Sequence, residues 1–414
     1  MSSEHWTGVA PRALRPSLLG RLLALLARRL RRFPVRLQLW SGEVLTPHPG
    51  AVHATIVVRN AKTLAQILLD PVFRLAEAYR TRAITVRGDL VGALEALFRS
   101  QAPPPPPAVR FKPATVARAE EAARRHYDLG NEFFRLWLDE QMVYTCAYFW
   151  SPLLTLEQAQ LAKLELVCRK LRLAPGQTVL EAGCGWGALA RYMAARYGVE
   201  VTACNVSREQ IRYARRRARD EGLDGRIQFL EEDFRNVSGR FDVFVSVGML
   251  EHVGLANYAD LGRVIHERLD PRHGRGLLHF IGRNHPRAVD RWTRKRIFPG
   301  SYCPTLSEAF SRVLEPWDFS VLDVENLRPH YVRTLAEWRR RFEQAAPRAA
   351  SQFDESFIRS WRLYLASSQA AFAAGSLQLF QAVFARGCED DVPWTRRHIY
   401  GEADSGRSEG IGPM

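Results

Sequence analysis

The sequence predicts an α/β fold: a doubly wound parallel sheet in the larger C-terminal part, with a smaller α+β module at the N-terminus. Three observations predict it. From residue 177 onward, apolar strand-like segments alternate with helix-like ones, the pattern of a parallel sheet covered by helices. The first of these strands, Val179-Leu180-Glu181-Ala182, runs into Gly183-Cys184-Gly185-Trp186-Gly187, and helix-like sequence follows from Ala188 to Tyr197. Between the two parts lies Ala102-Pro-Pro-Pro-Pro-Pro-Ala108. Five prolines fit neither a helix nor a central strand, so this stretch reads as an extended linker.

The elements follow in chain order. Residues 1–101 read as the N-terminal module, 102–110 as the linker, 111–401 as the larger domain, and 402–414 as a polar, Gly-rich tail expected to be disordered. Leu18 to Phe33 reads as a helix, with Leu19, Leu22, Leu23, Leu26, Leu30 and Phe33 on one face and Arg21, Arg28 and Arg32 opposite. Such a helix suits a membrane surface, and equally suits docking on its own domain. Val35 to Trp40, Ala54 to Val58 and Ile84 to Val86 read as strands, and Thr63 to Leu69 as a helix. Residues 115–140 read as helical. In the larger domain strands are expected at 177–182, 199–204, 227–230, 241–247 and 276–281. Helices are expected at 187–197, 208–221 and 257–269, and the region 353–387 reads as helical. In a sheet of this kind ligands bind at the carboxyl ends of the strands.

Composition narrows the function classes. At 414 residues, 46% hydrophobic and 25% charged, the chain is globular and can bury a sizeable core. The net charge of +15 favours anionic partners, a nucleic acid or an anionic membrane surface. Only five of the basic residues are lysines. The six cysteines form no Cys-x-x-Cys pair, so no zinc framework is visible, and their scatter suits a reducing cytosol. No apolar run reaches the ~18 residues of a spanning helix.

The glycine turn carries the chemistry. Glycines let a ligand approach main-chain atoms that a Cβ would shield. Glu181 before the first glycine suits a ligand with a positive amine better than a pyrophosphate, which points to S-adenosylmethionine rather than to NAD. Asn205 ends the second strand, where dinucleotide folds place an acid for ribose; Gln210, one turn on, can serve the ribose. Asp233, with Phe234, ends the third strand, where an acid can accept from an adenine amino group, and it can equally cap a turn. Glu251 and His252 follow Val247-Gly-Met-Leu250, and His279 ends the fifth strand. An acid and a histidine in one crevice suit proton handling or anion binding. His279 taken alone would be read as a core histidine.

Together these motifs resemble the cyclopropane-fatty-acyl-phospholipid synthase family, which includes the mycolic acid cyclopropane synthases. The resemblance rests on His126-Tyr-Asp-Leu-Gly-Asn131, Tyr144-Thr-Cys-Ala-Tyr148, Glu181-Ala-Gly-Cys-Gly-Trp-Gly187, Val247-Gly-Met-Leu-Glu-His-Val-Gly254, Leu278-His-Phe-Ile-Gly282 and Phe298-Pro-Gly300. They run in family order over about 120–390. The resemblance implies a Rossmann-like S-adenosylmethionine methyltransferase domain preceded by a lipid-binding domain.

It implies that a cis double bond of an unsaturated phospholipid acyl chain is methylated. The carbocation then loses a proton to bound bicarbonate and closes a cyclopropane ring. The implied bicarbonate cage is Cys146, Glu251, His279, the backbone at Ile281, and Tyr331. The implied cofactor residues are Tyr127, Tyr144, Thr145, Glu181, Gly183, Gly185, Gly187, Asn205, Gln210, Asp233 and Phe234. Tyr127, Tyr144 and Tyr148 can face cationic sulfur or the carbocation, and Tyr148 can instead serve core or lid packing. Ser368, before Phe372, stands where family members often carry a cysteine. A methyl- or methylene-branched product is the alternative outcome. A cytoplasmic protein on the inner membrane face, a partner in the anionic bilayer and none in nucleic acid complete the expectation, with a homodimer left open. The Asn-Pro-Pro-Tyr type of motif expected for amino-base methylation is missing after the fourth strand, where Gly248-Met249-Leu250-Glu251 stands.

Overall fold

The computed structural model describes residue 31 and residues 33–46, 48–100 and 129–400. The predicted linker, the tail, most of the helix at 18–33 and Tyr127 lie outside the described residues. The N-terminal module has a four-stranded sheet in the order β2-β1-β3-β4, built from β1 (Val35–Gln38), β2 (Val44–Leu45), β3 (Ala54–Val58) and β4 (Ile84–Gly88). Helices of nine or more residues are numbered: here α1 (Ala61–Leu69), α2 (Pro71–Arg80) and α3 (Leu90–Ser100). Asn60 starts α1 by accepting from the Thr63 N–H at 2.9 Å.

The larger part contains α4 (Leu156–Lys170), β5 (Thr178–Ala182), α5 (Ala188–Tyr197), β6 (Glu200–Asn205), α6 (Arg208–Asp220), β7 (Ile227–Glu231) and β8 (Val243–Val247). It continues through α7 (Tyr258–Arg268), β9 (Arg275–Gly282), β10 (Phe319–Asn326), α8 (Arg328–Ala349), α9 (Glu355–Ala373) and β11 (Gln378–Arg386). The sheet order is β10-β11-β9-β8-β5-β6-β7. β9, β8, β5, β6 and β7 are mutually parallel, while β11 is antiparallel to both β9 and β10. Thus β5 sits in the parallel part with four of its five residues buried, as a strand covered on both faces must be.

The expected helix over 353–387 is corrected here. Helix α9 ends at Ala373, and Gln378–Arg386 is a strand with all nine residues buried. Inserted between β9 and β10, it is covered on both faces. Its apolar residues therefore do not alternate, and a short apolar run cannot be told from a buried helix by periodicity. The expected helix over 115–140 is also shorter where described, covering Asn131–Arg135.

The two parts meet through α2, α3 and α9. Arg359 on α9 donates to the carbonyls of Tyr79 (2.5 Å) and Ile84 (3.1 Å) and covers the Tyr79 ring at 4.2 Å. Glu77 on α2 accepts from Trp292 Nε1 at 3.1 Å and from Arg296 at 2.8 Å. Beside this seam, Phe133, Phe134, Trp137 and Trp338 are fully buried, stacking edge-on around Tyr144 and Trp361. Each such pair contributes about 0.5–1.5 kcal/mol beyond area burial, so the wall of the neighbouring cavity is stiff.

Candidate active site

The β5–α5 turn is built by three left-handed glycines with different duties. Gly183, Gly185 and Gly187 have φ of 80°, 53° and 77°. The N–H groups of Gly183 and Cys184 both donate to Cys204 O, at 2.9 and 3.2 Å, tying the turn to β6. A Cβ on Gly185 would meet nothing within 4 Å, whereas one on Gly187 would lie 2.7 Å from Phe229 Cζ and 2.8 Å from Ala214 Cβ. Gly183 and Gly185 line the central cavity; Gly187 does not. The close approach of α6 and β7 gives Gly187 a packing duty.

Glu181 lines the same cavity, is 3% exposed, and has no hydrogen-bond partner for Oε2. The sequence reading missed its neighbour. Lys163, on α4, is also buried and lines the cavity, with Nζ donating to Thr145 Oγ1 at 3.1 Å. Burial pushes the Glu181 carboxyl up and the Lys163 ammonium down, and each charge opposes the other's shift. Lys163 thus limits the rise of the Glu181 carboxyl without cancelling it, and that carboxyl still reaches about 8. Spacing in the sequence, 18 residues apart on separate elements, gave no sign of that pair.

The ends of β6 and β7 supply polar groups. Asn205 Nδ2 donates to Gln210 Oε1 at 2.7 Å, and both line the cavity. Ser207 caps α6 and sets Gln210 in its first turn. Asp233 accepts from the Arg235 N–H at 3.0 Å and so does cap a turn, while also lining the cavity with Phe234. Arg235 covers the Phe234 ring at 4.8 Å.

Of the five residues expected in the cage, four lie on the wall of this cavity. Glu251, His279, Ile281 and Tyr331 line the one cavity. Glu251 is 6% exposed, accepts from the Ile281 N–H at 2.5 Å through Oε1, and has no hydrogen-bond partner for Oε2. The Ile281 amide is thus engaged by the carboxylate. Burial pushes the Glu251 carboxyl up to about 7, opposed by that amide. Burial, with the charges of Lys163 and Lys170, holds His279 well below the ordinary histidine range, so it is neutral. Tyr331 packs on Phe372, ring centroids 4.5 Å apart.

Cys146 does not itself line this cavity. Its fully buried thiol donates to Ala147 O at 3.2 Å and faces Thr334 Oγ1 at 3.9 Å, behind the cavity wall. Burial raises it far above the usual thiol range, which makes it inert. Tyr144 and Thr145 line the cavity, Tyr144 sharing a 2.8 Å hydrogen bond with Tyr364. Tyr148 does not line it and packs on the His330 ring at 4.9 Å. Ser368 does line it.

The cavity itself is about 1260 Å³ and continuous from the glycine turn past Glu251 into the N-terminal module, where Val58, Leu64, Ile67, Leu94 and Leu97 form its wall. One end is thus polar and buried, and the remainder is apolar and long.

The sequence profile described as mycolic acid cyclopropane synthetase matches residues 115–382. The chain belongs to this family. It is an enzyme of the methyltransferase class with a Rossmann-like fold. It is 43% identical over 283 residues to the cyclopropane-fatty-acyl-phospholipid synthase of Escherichia coli K12, covering 68% of this chain and 72% of that one. It is 37% identical over 384 residues to a Pseudomonas putida protein named "Probable fatty acid methyltransferase", covering 89% and 96%. Among solved structures, the cyclopropane synthase MmaA2 of Mycobacterium tuberculosis superposes with a TM-score of 0.61 at 31% identity, covering 64% of this chain and 98% of that one. The mycolic acid cyclopropane synthase CmaA1 complexed with SAH and CTAB gives 0.61 at 29%, covering 67% and 99%.

For a cyclopropane synthetase family member, the residues that sequence reasoning missed are those acting behind the cage. Gln381 Nε2 lies 3.1 Å from His279 Nδ1, and Lys170 Nζ lies 2.8 Å from Gln381 Oε1 and 2.5 Å from Glu325 Oε2. Lysine only donates, so the amide oxygen must face Lys170. The amide nitrogen then faces Nδ1, which must accept. In neutral His279 the proton accordingly sits on Nε2. The pairing of β11 with β9 sets Gln381 opposite His279, and its pairing with β10 sets Glu325 opposite Gln381.

Proposed function

We propose that this protein converts a cis double bond of an unsaturated phospholipid acyl chain into a cyclopropane ring, using S-adenosylmethionine and bicarbonate. The observation that carries the reading is one cavity that joins the glycine turn, the buried residues Glu251 and His279, and a long apolar chamber. The names of the Escherichia coli relative and of the structure complexed with SAH and CTAB support it.

The residues present fit both small molecules. Gly183 and Gly185 leave the main chain open, Glu181 offers an unsatisfied buried acceptor, and Gln210, Asp233 and Phe234 stand at the strand ends. When bound, S-adenosylmethionine supplies an electrophilic methyl group. The chain's own part is to hold the alkene in a dry apolar chamber at the polar end. Tyr144 and the aromatic wall face the positive charge that develops on the acyl chain. For the anion, His279 Nε2–H and the Tyr331 hydroxyl donate, and Glu251 Oε2 accepts. A base held there takes one proton from the newly added methyl group, and the freed electron pair closes the three-membered ring. Cys146 would contribute no side-chain contact.

The domain assignment belongs to the same proposal: residues 1–101 as a lipid-binding domain, 102–110 as linker and 111–401 as the catalytic domain, on a peripherally membrane-bound protein. A second reading, a methyl- or methylene-branched product, is favoured by the relative named "Probable fatty acid methyltransferase", which covers 89% of this chain. Incubation with methyl-labelled S-adenosylmethionine and either unsaturated phospholipid vesicles or nucleic acid tests the class. Label is expected in the lipid; label in nucleic acid alone, or in neither, would overturn the reading.

A further inference from the structure

The turn between α1 and α2 is an apolar tip in water. Leu69 is 87% exposed and Val72 61%, with Pro71 exposed between them. Single exposed apolar residues are ordinary; this group is set apart by what it joins. Pro71 and Val72 also line the cavity that contains Glu251 and His279. The tip is therefore the cavity's rim, and the wall immediately inside it is apolar, formed by Leu64, Ile67 and Leu75.

The rim is also cationic. Arg291, itself exposed, lies with its guanidinium 3.9 Å from the Phe73 ring centroid and pairs with Asp70 at 3.2 Å. Lys295 Nζ lies 5.6 Å from the same ring. Arg74 and Lys295 are exposed. Apolar side chains ringed by cations match the layering of an anionic bilayer, apolar within and charged at the surface. A protein partner would explain the exposed tip, but not its continuity with an apolar cavity.

We propose that this tip docks on an anionic lipid bilayer. Leu69 and Val72 enter the acyl layer, and Arg74, Arg291 and Lys295 meet the headgroups. An acyl chain then passes from the bilayer into the cavity without crossing water. The proposal rests on the lipid-substrate reading above.

The test places an environment-sensitive fluorophore on Leu69→Cys in a Cys388→Ser background, with a second probe on Asp220→Cys, at the far, amino end of the sheet. Vesicles of phosphatidylcholine alone and with phosphatidylglycerol are added. The probe at 69 is expected to shift to an apolar emission with the anionic vesicles and much less with neutral ones, while the probe at 220 stays aqueous. The Leu69→Asp/Val72→Asp double variant is expected to co-sediment with anionic vesicles at least ~tenfold more weakly, with its melting temperature and S-adenosylhomocysteine affinity unchanged. A probe at 69 that stays aqueous, or a double variant that binds like wild type, would overturn the proposal. So would emission that shifts with protein concentration alone, which would assign the tip to a second copy. Methyl transfer by the wild type to detergent-dispersed unsaturated phospholipid is measured in parallel. Its absence would count against the substrate reading, whatever the probe reports.

Discussion

Gln381 and His279 are directly opposed residues of the antiparallel pair β11–β9, with the amide nitrogen 3.1 Å from Nδ1 of the imidazole. Because Lys170 anchors the amide oxygen, the amide cannot turn round without setting two donors face to face. His279 is thereby made a hydrogen-bond donor toward the cavity rather than a base. Nitrogen-15 NMR of labelled His279 is expected to show the proton on Nε2. Gln381→Leu is expected to lose this preference and to lower product formation roughly ten- to a hundredfold, the worth of one hydrogen bond to a charged group. A wild-type spectrum with the proton on Nδ1 would refute the relay.

The glycines of the turn are expected to fail differently. Gly185 faces open space, so Gly185→Leu should cost only the ~1–2 kcal/mol of its left-handed backbone, keep the fold, and abolish S-adenosylhomocysteine binding in calorimetry. Gly187→Ala combines a left-handed backbone with contacts of 2.7–2.8 Å to Phe229 and Ala214. It should cost about 2–5 kcal/mol of stability, read by denaturant titration. Unchanged stability of Gly187→Ala would contradict the packing role.

Lys163 opposes the effect of burial on the Glu181 carboxyl, which still rises to about 8. Lys163→Met removes that opposing charge, so the Glu181 carboxyl rises further. The rise in cofactor affinity that accompanies ionisation of Glu181 should then fall at a higher pH than in the wild type and be complete once Glu181 has ionised. Affinity measured across the pH range decides this; a loss that does not recover at high pH would show that Lys163 acts in another way.

Much of this was legible in the sequence, and the rest was hidden for identifiable reasons. The strand–glycine–helix unit at 178–197 was legible because turn chemistry and periodicity agree there. Glu251 and His279 were legible because the first stands a few residues past a recognisable apolar strand and the second within one. Lys163 was not, since a lysine on a helix ordinarily points to water, and only the packing of α4 under β5 buries it. Gln381 was not, because β11 is covered on both faces and shows no alternation. Gly187 and Cys146 lay in matched motifs, yet motif membership does not distinguish a residue facing a ligand from one supporting the wall.

With S-adenosylmethionine saturating, Glu251 is the group whose ionisation should govern turnover near neutrality. Its carboxyl is raised to about 7, so the accepting, ionised form grows as pH rises through that value. With bicarbonate concentration held fixed, product formation should rise over the same interval, and His279, neutral throughout, should add no limb. Glu251→Gln should keep cofactor affinity and lose most cyclopropane formation, because the amide presents a donor where the anion needs an acceptor. A variant with wild-type yield would remove Glu251 from the mechanism.

The most direct measurement is product NMR after incubating the protein with carbon-13 methyl-labelled S-adenosylmethionine, bicarbonate and vesicles of a cis-unsaturated phosphatidylglycerol. The predicted result is carbon-13 in the methylene of a cyclopropane ring, recognised by its upfield proton signals, with one double bond lost per label incorporated. Label in a methyl or methylene branch, with no ring signal, would contradict ring closure and assign the protein to branch formation.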